Sequence, residues 1–149
     1  MKNSPLNDID YGDLPNHLGF HIRRTYTAYL RVFTTLVGRR FALKSQQYSI
    51  LVLTKHNPGI TPSAIASAIE VKRSLIAVLT EDLRQRGFIN IKTSATDGRE
   101  KRLHLTKKGH TFIDEVRQLL LTEFGPALAK KLSANEIATL NKILPKIYS

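Results

Sequence analysis

The hydrophobic period of the sequence changes from helical to alternating at one place, residues 88–105. On either side, apolar residues recur every three or four positions, which is the spacing of amphipathic helices. Residues 88–91 and 102–105 alternate instead, and the polar turn between them contains Asp97 and Gly98. One hairpin in an otherwise helical chain predicts a mainly α (α+β) fold.

Three short helices are predicted before the hairpin. Ser45 is the expected N-cap of the first, which the sequence Asn57-Pro58-Gly59 ends. Thr61 is the expected cap of the second, with Pro62 at its first position, where a missing N–H costs nothing. The third fits Lys72 to Arg86 and ends at a glycine. Three helices followed by a hairpin are the order of a winged helix-turn-helix.

Long amphipathic helices flank this segment on both sides. We expect Asp13 to cap the first, which runs to about Gly38. Thr106 opens the other, Gly125-Pro126 kinks it, and Ser133 begins a last helix with a Ser-x-x-Glu capping box. The apolar faces of these helices are wide, so we expect a second copy of the chain to cover them in a homodimer. The alternative is a monomer in which they fold back on the middle helices.

Basic residues dominate the composition, with 23 Lys and Arg against 12 Asp and Glu and a formal net charge of +11. This excess favours a polyanionic partner, either nucleic acid or an acidic membrane surface. No apolar run approaches the roughly 20 residues of a membrane span, and the polar N-terminus is unlike a secretion signal. We therefore expect a cytoplasmic protein with no membrane partner.

Residues at the start of the third short helix are candidates for DNA contact. The second helix of a helix-turn-helix enters the major groove with its N-terminal residues, while its own N-terminus and the preceding helix contact phosphates. Arg73 can bind guanine bidentately, Ser74 can contact a base or a phosphate, and Ala77 lies on the same exposed side. Lys72, and Ser63 at the start of the preceding helix, complete the candidates. Two adjacent basic residues are also common at solvated helix ends.

The hairpin supplies a second set of candidate DNA contacts. An arginine at the turn, Arg99, fits the narrow minor groove, whose negative potential attracts guanidinium groups. Asp97 is positioned to hold Arg99 extended, and Lys101 adds a further positive charge. Each feature alone is typical of a charged surface turn, but a basic helix and a basic hairpin about 20 residues apart together favour double-stranded DNA.

Three stretches of the chain match a known pattern. They are Leu43-Lys-Ser-Gln-Gln-Tyr-Ser-Ile-Leu through Gly59-Ile-Thr-Pro-Ser-Ala-Ile-Ala, then Leu79-Thr-Glu-Asp-Leu-Arg-Gln-Arg-Gly-Phe-Ile, and Asp97-Gly-Arg-Glu-Lys-Arg-Leu-His-Leu-Thr-Lys-Lys-Gly109. On these residues the chain resembles the MarR family of bacterial and archaeal regulators. The last stretch, a wing running into Leu-Thr-x-x-Gly, is the most specific. Many members carry an earlier Asp-x-Arg where this chain has Ser94-Ala95-Thr96, so its wing contacts are expected to differ.

The resemblance implies a homodimeric winged helix-turn-helix that reads a pseudo-palindromic operator, with two recognition helices in major grooves and two wings in minor grooves. It assigns residues 1–42 to N-terminal dimerisation, 43–105 to DNA binding and 106–149 to C-terminal dimerisation. The expected function is a sequence-specific transcriptional regulator, a repressor released by a small aromatic or anionic ligand. A sequence-tolerant architectural DNA-binding protein is the alternative.

Candidate contacts for that ligand lie on the first helix. Tyr26, Tyr29 and Phe33 share one of its faces, and Arg40 is among several arginines with no acidic residue nearby in sequence. Aromatic residues at helical spacing are also typical of a hydrophobic core, so both interpretations stay open.

Neither catalysis nor a cofactor is expected. The sequence has no Gly-rich phosphate loop, no His-Glu-x-x-His and no nucleophile elbow. It has no cysteine, which excludes disulfides, thiol nucleophiles and Cys-ligated zinc. His17 and His21 stand four residues apart but lack a third ligand, so no metal site is predicted.

Overall fold

The computed structural model of the chain describes residues 9–93 and 100–148. It consists of two compact units, Met1–Val32 and Phe33–Ser149. Across the described ranges, no helix is long and apolar enough to cross a bilayer.

The first unit begins with a short 3-10 turn, Leu14–Asn16, followed by helix α1, Leu18–Phe33. The prediction that Asp13 caps a long helix is wrong, because its side chain makes no capping hydrogen bond and the next residues form only the 3-10 turn. His17 is extended, with φ −100° and ψ 123°, so α1 begins after it.

The second unit holds the remaining elements, and their order confirms a mainly α winged helix-turn-helix with long N- and C-terminal helical regions. They are a π-helical turn Thr34–Gly38, α2 Arg39–Phe41, α3 Ser45–His56, α4 Pro62–Ala68, α5 Arg73–Gln85, β1 Ile89–Thr93, β2 Lys101–Leu105, α6 Lys107–Leu119, a π-helical turn Leu120–Phe124, α7 Gly125–Ala129, α8 Ala134–Ile143 and a 3-10 turn Leu144–Ile147.

Most helix ends follow from local capping chemistry. The hydroxyl of Thr61 accepts the Ala64 N–H at 3.2 Å, and that of Ser133 accepts the Glu136 N–H at 3.3 Å, as predicted. The prediction of Ser45 as an N-cap is wrong by one residue. Lys44 is the N-cap, because the Gln47 side chain accepts the Lys44 N–H at 3.0 Å and so closes the first turn.

The hydrophobic core of the second unit forms where α3, α5 and α6 pack against the hairpin. Antiparallel pairing places Ile89 opposite Leu105 and Ile91 opposite Leu103 on one side of the two strands. The fully buried aliphatic side chains that these elements contribute are Ile50, Leu51, Ile76, Leu83, Ile89, Leu103 and Val116.

A third extended segment joins the hairpin, which the periodicity of the sequence did not predict. The Gly59 N–H donates to the Leu103 carbonyl at 2.8 Å, and the Leu103 N–H donates to the Ile60 carbonyl at 3.0 Å. These bonds bridge the loop between α3 and α4 to the outer edge of β2. The base of the wing is therefore fixed to the helix-turn-helix.

Candidate nucleic-acid interface

Helices α4 and α5 form the helix-turn-helix, and one residue in the left-handed region lets the chain reverse between them. Glu70 has φ +53°, a conformation that costs most side chains about 1–2 kcal/mol. The Val71 N–H then donates to the Ala66 carbonyl at 3.0 Å and fastens the turn to the end of α4.

Helix α5 has two distinct sides. Its buried side carries Ile76, Leu79, Thr80 and Leu83, and the Thr80 hydroxyl donates to the Ile76 carbonyl at 2.7 Å. The opposite side faces solvent. Lys72, Arg73, Ser74 and Ala77, which the sequence predicts as DNA contacts, are all exposed there or at the helix start.

The N-terminus of α5 is available for an anion. Lys72 is its N-cap residue and makes no side-chain capping hydrogen bond, whereas threonine and serine side chains cap α4, α6 and α8. Free backbone N–H groups and the helix dipole favour a phosphate at such an end. Within residues 9–93 and 100–148, Lys72 and Arg73 form no ion pair.

The carboxylates of α5, in contrast, are engaged within the protein. Arg84 donates to Glu81 at 2.7 and 2.9 Å, and Gln85 donates to it at 3.0 Å. Hydrogen bonds from Arg84 and then Gln85, together with the charges of Arg84 and Lys101, lower the pKa of Glu81 to about 2. Asp82 accepts a hydrogen bond from Gln47 at 2.7 Å and forms an ion pair with Arg86 at 3.5 Å. The negative charge on this helix is thus compensated internally, while the cations at its start are not.

The far end of α5 is held by Arg86. Its guanidinium donates to the carbonyls of Phe41 and Ala42 at 2.7 and 2.9 Å, which lie where α2 ends. It also lies over the ring of Phe88, 4.9 Å from the centroid. These contacts fix the orientation of α5, and no local pattern in the sequence indicated them.

The hairpin presents exposed cations on both of its sides, Lys92 and Arg102 on the side away from the core and Lys101 on the side that carries Leu103. Lys92 is paired with Arg102 across the strands, and Lys101 is exposed opposite Thr93. Arg102 donates to Glu100 at 2.6 Å and to the Gly59 carbonyl at 3.5 Å, so it connects the wing to the loop between α3 and α4. The predicted contacts Asp97 and Arg99 lie outside the described residues.

Helix α6 begins against the base of the wing, and this contact explains the Leu-Thr-x-x-Gly motif. The Thr106 hydroxyl accepts the Gly109 N–H at 2.9 Å and donates to the Gly87 carbonyl at 2.7 Å. A Cβ on Gly109 would stand 2.0 Å from the Phe88 carbonyl oxygen. Helix α6 therefore lies so close to the backbone of Phe88 that only glycine fits at this position. The motif therefore joins the wing to the C-terminal helices.

The structure places the predicted contacts in different surroundings. Ser63 is half-buried in the first turn of α4. Phe33 is fully buried with its ring 6.0 Å from that of Tyr48, whereas Tyr26 and Tyr29 are exposed on α1. Arg40 lies 3.8 Å from Glu123 and lines a cavity of about 500 Å³ with Phe41, Glu115, Gln118, Leu119, Thr122 and Glu123. The described residues contain no group of three or more His, Cys, Asp or Glu that could hold a metal ion.

One exposed residue of α5 was missed by the sequence reasoning. Val78 is 67% exposed, one helical turn after Ser74 and on the side opposite the buried stripe. Continuing the helical periodicity by one more turn from Ser74 would have placed it there.

Comparison with known proteins gives concordant results. The profile of the MarR family matches residues 43–101. The chain is 32% identical over 146 residues to a putative transcriptional regulatory protein for the hcr operon of Thauera aromatica. The alignment covers 98% of this chain and 87% of that protein.

Solved structures share the fold over nearly the whole length. The transcriptional repressor CouR, bound to a 23-mer DNA duplex, superposes with a TM-score of 0.88 at 25% identity, over 95% of this chain and 99% of that one. The PcaV regulator from Streptomyces coelicolor, in complex with its natural ligand, has a TM-score of 0.81 at 24% identity, over 93% of this chain and 96% of that one.

Proposed function

The chain belongs to the MarR family of transcriptional regulators, and we propose that it works as a homodimer that binds a specific double-stranded operator and leaves it when a small ligand binds. The observation that carries the proposal is the charge distribution on α5. Lys72 and Arg73 stand without ion pairs in the described part of the chain, beside an uncapped helix N-terminus, while the acids Glu81 and Asp82 are engaged.

This distribution suits a polyanion that approaches the start of α5. A recognition helix enters the major groove with its N-terminal residues, where Arg73 can reach the O6 and N7 atoms of guanine. Lys72 and the free N–H groups then contact phosphates, which position the protein on the duplex. The proposed DNA contacts are Ser63, Lys72, Arg73, Ser74 and Ala77 on the helices and Asp97, Arg99 and Lys101 on the wing.

Homodimer formation is supported by the apolar side chains that the terminal regions expose. Leu18, Ile22 and Tyr26 are exposed on α1, and Leu140 and Ile143 are exposed on α8. Exposed apolar surface of this kind is typical of an interface. We propose residues 1–42 and 106–149 as dimerisation regions, residues 43–105 as the DNA-binding domain, and the cytoplasm as the location where the protein meets its operator.

Release by a ligand is supported by the relatives. CouR is a repressor and has been solved on DNA, and PcaV has been solved with its natural ligand. We propose an aromatic or anionic ligand for this chain, with Tyr26, Tyr29, Phe33 and Arg40 as the candidate contacts. Because Arg40 lies 3.8 Å from the Glu123 carboxylate, an anionic ligand at Arg40 would compete with that carboxylate for the guanidinium.

The test is selection of bound sequences from a random duplex pool at physiological salt, followed by titration of the selected site against a scrambled duplex. We expect an inverted repeat, bound about 10³-fold or more tightly than scrambled DNA. The preference should persist as salt is raised, although both affinities fall. Tight binding without enrichment of any sequence contradicts the proposal and favours an architectural DNA-binding protein.

A further inference from the structure

An apolar side chain occupies the middle of the exposed side of α5. Val78 is 67% exposed, and its neighbour Leu75, on the flank of the helix, is 39% exposed. Valine has a lower helix propensity than alanine because its branched Cβ loses rotamer freedom in a helix. An exposed valine therefore gains no burial here and costs some helix stability.

The position of Val78 relative to the buried stripe shows that it points outward. Successive residues are about 100° apart around a helix. The buried residues of α5, which are Ile76, Leu79, Thr80 and Leu83, therefore form a stripe on one side, and Val78 lies on nearly the opposite side. Ser74 shares that outward direction one turn earlier. Val78 then lies about 6 Å further along the axis, still within the N-terminal half of the helix.

The charges around Val78 indicate which class of partner contacts it. Lys72 and Arg73 precede it on α5 without ion pairs within the described ranges, and Lys101 lies close enough to Glu81 to lower the pKa of that carboxyl. The surface that surrounds this valine is thus suited to DNA. In the major groove, the one apolar group on a base edge is the C5-methyl group of thymine.

We propose that Val78 is a specificity-determining residue that contacts the methyl group of a thymine in each half-site of the operator. The inference rests on the proposed function, since it needs α5 to lie in the major groove. It assigns Arg73 and Val78 different roles. The arginine recognises a guanine by hydrogen bonds. The valine, about one turn further along the helix, recognises a thymine because the contact removes water from its own side chain and from the thymine methyl group.

The experiment is a double-mutant cycle between the protein and the methyl group. Each thymine of the selected operator is replaced in turn, in both half-sites, by deoxyuridine, which lacks only the C5-methyl group. Affinities for wild type and Val78→Ala are measured by fluorescence anisotropy at one salt concentration. Gln85→Ala, two turns beyond Val78 on the same helix, is the matched control.

For wild type we expect one thymine at which deoxyuridine weakens binding about fourfold per half-site, the factor expected for burial of one methyl group. Val78→Ala should bind the thymine operator more weakly and should lose this penalty, while Gln85→Ala should keep it. Because Val78 is exposed and alanine is the better helix former, the variant should melt no earlier than wild type.

Two outcomes overturn the inference and are distinguishable from each other. If the wild-type chain selects no sequence, the proposed function fails, and the methyl contact fails with it. If it selects an operator but Val78→Ala keeps the wild-type penalty at every thymine, or no thymine shows a penalty, the regulator stands and Val78 has no part in reading thymine. Melting curves exclude unfolding of the variant as the cause of weaker binding.

Discussion

Replacement of Gly109 by alanine should be strongly destabilising, although glycine is a poor helix former. The added Cβ would lie 2.0 Å from the carbonyl oxygen and 3.0 Å from the carbonyl carbon of Phe88. The obstacle is backbone, which cannot rotate away as a side chain can. The Phe88 carbonyl oxygen must therefore retreat by about 1.4 Å to reach an ordinary contact distance.

That retreat disturbs a tightly connected region. The Phe88 carbonyl accepts the Thr106 N–H at 3.0 Å, and the ring of Phe88 stacks on Phe112 with centroids 4.0 Å apart. Overpacking of this kind costs about 1–3 kcal/mol, and a weakened hydrogen bond adds about 1 kcal/mol. The higher helix propensity of alanine returns at most about 1 kcal/mol. We expect Gly109→Ala to lower the free energy of unfolding by about 1–3 kcal/mol.

Urea unfolding followed by circular dichroism measures this difference, at one protomer concentration because the apparent stability of a dimer depends on concentration. Gly19→Ala is the matched control, since Gly19 is also near a helix start but its Cβ would meet no atom within 4 Å. This control should leave the free energy of unfolding unchanged or raise it by up to about 1 kcal/mol. A Gly109→Ala protein as stable as wild type would refute the argument.

Three further changes test separate parts of the structure. Arg73→Ala should cost about 1–3 kcal/mol of binding free energy on the selected operator and less on scrambled DNA, measured by anisotropy, and an equal loss on both would contradict a base contact. Glu70→Gly relieves the left-handed backbone at φ +53° and should raise the free energy of unfolding by about 0.5–1 kcal/mol, because the relieved strain exceeds the entropy that glycine loses on folding. An unchanged urea midpoint would contradict this expectation. Hydrogen bonds from the Ser133 side chain and backbone lower the pKa of Glu136 below 4.5, so its stabilisation is present above that pH and is lost as the pH falls through the lowered value. The melting temperature of Glu136→Ala should therefore fall below that of wild type at neutral pH and approach it in acid, and a constant difference would count against the capping box.

The parts of the fold that the sequence predicted depend on local chemistry. Thr61 and Ser133 cap helices by bonding an N–H three residues later, so the interaction is visible in a window of four residues. The wing strands alternate because one side of each packs on the core. Asp13 does not cap a long helix because the residues after it form only a 3-10 turn, which ends at the extended residue His17.

The parts that escaped prediction depend on contacts between distant residues. Gly59 donates to Leu103, 44 residues later, and no periodicity in either segment indicates that pairing. Gln47 donates to Asp82 across 35 residues, and it resembles any polar residue in the first turn of a helix. The candidate DNA contacts on α5 could be predicted because they depend only on the helix period and on charge. The hydrogen bonds of Arg86, which orient that helix, could not be predicted because their acceptors lie more than 40 residues away.

The supports of α5 are unequal at its two ends, and this asymmetry follows from its proposed task. At the C-terminal end, Arg86 donates to the carbonyls of Phe41 and Ala42 at the end of α2, and Lys108 of α6 donates to the Arg86 carbonyl at 2.8 Å. At the N-terminal end, Lys72 has no side-chain capping bond. A helix that reads DNA has to leave its first turn open for phosphates and bases, so its orientation has to come from the other end. The bonds of Arg86 thus connect the C-terminal end of α5 to the end of α2, and the bond from Lys108 connects it to α6.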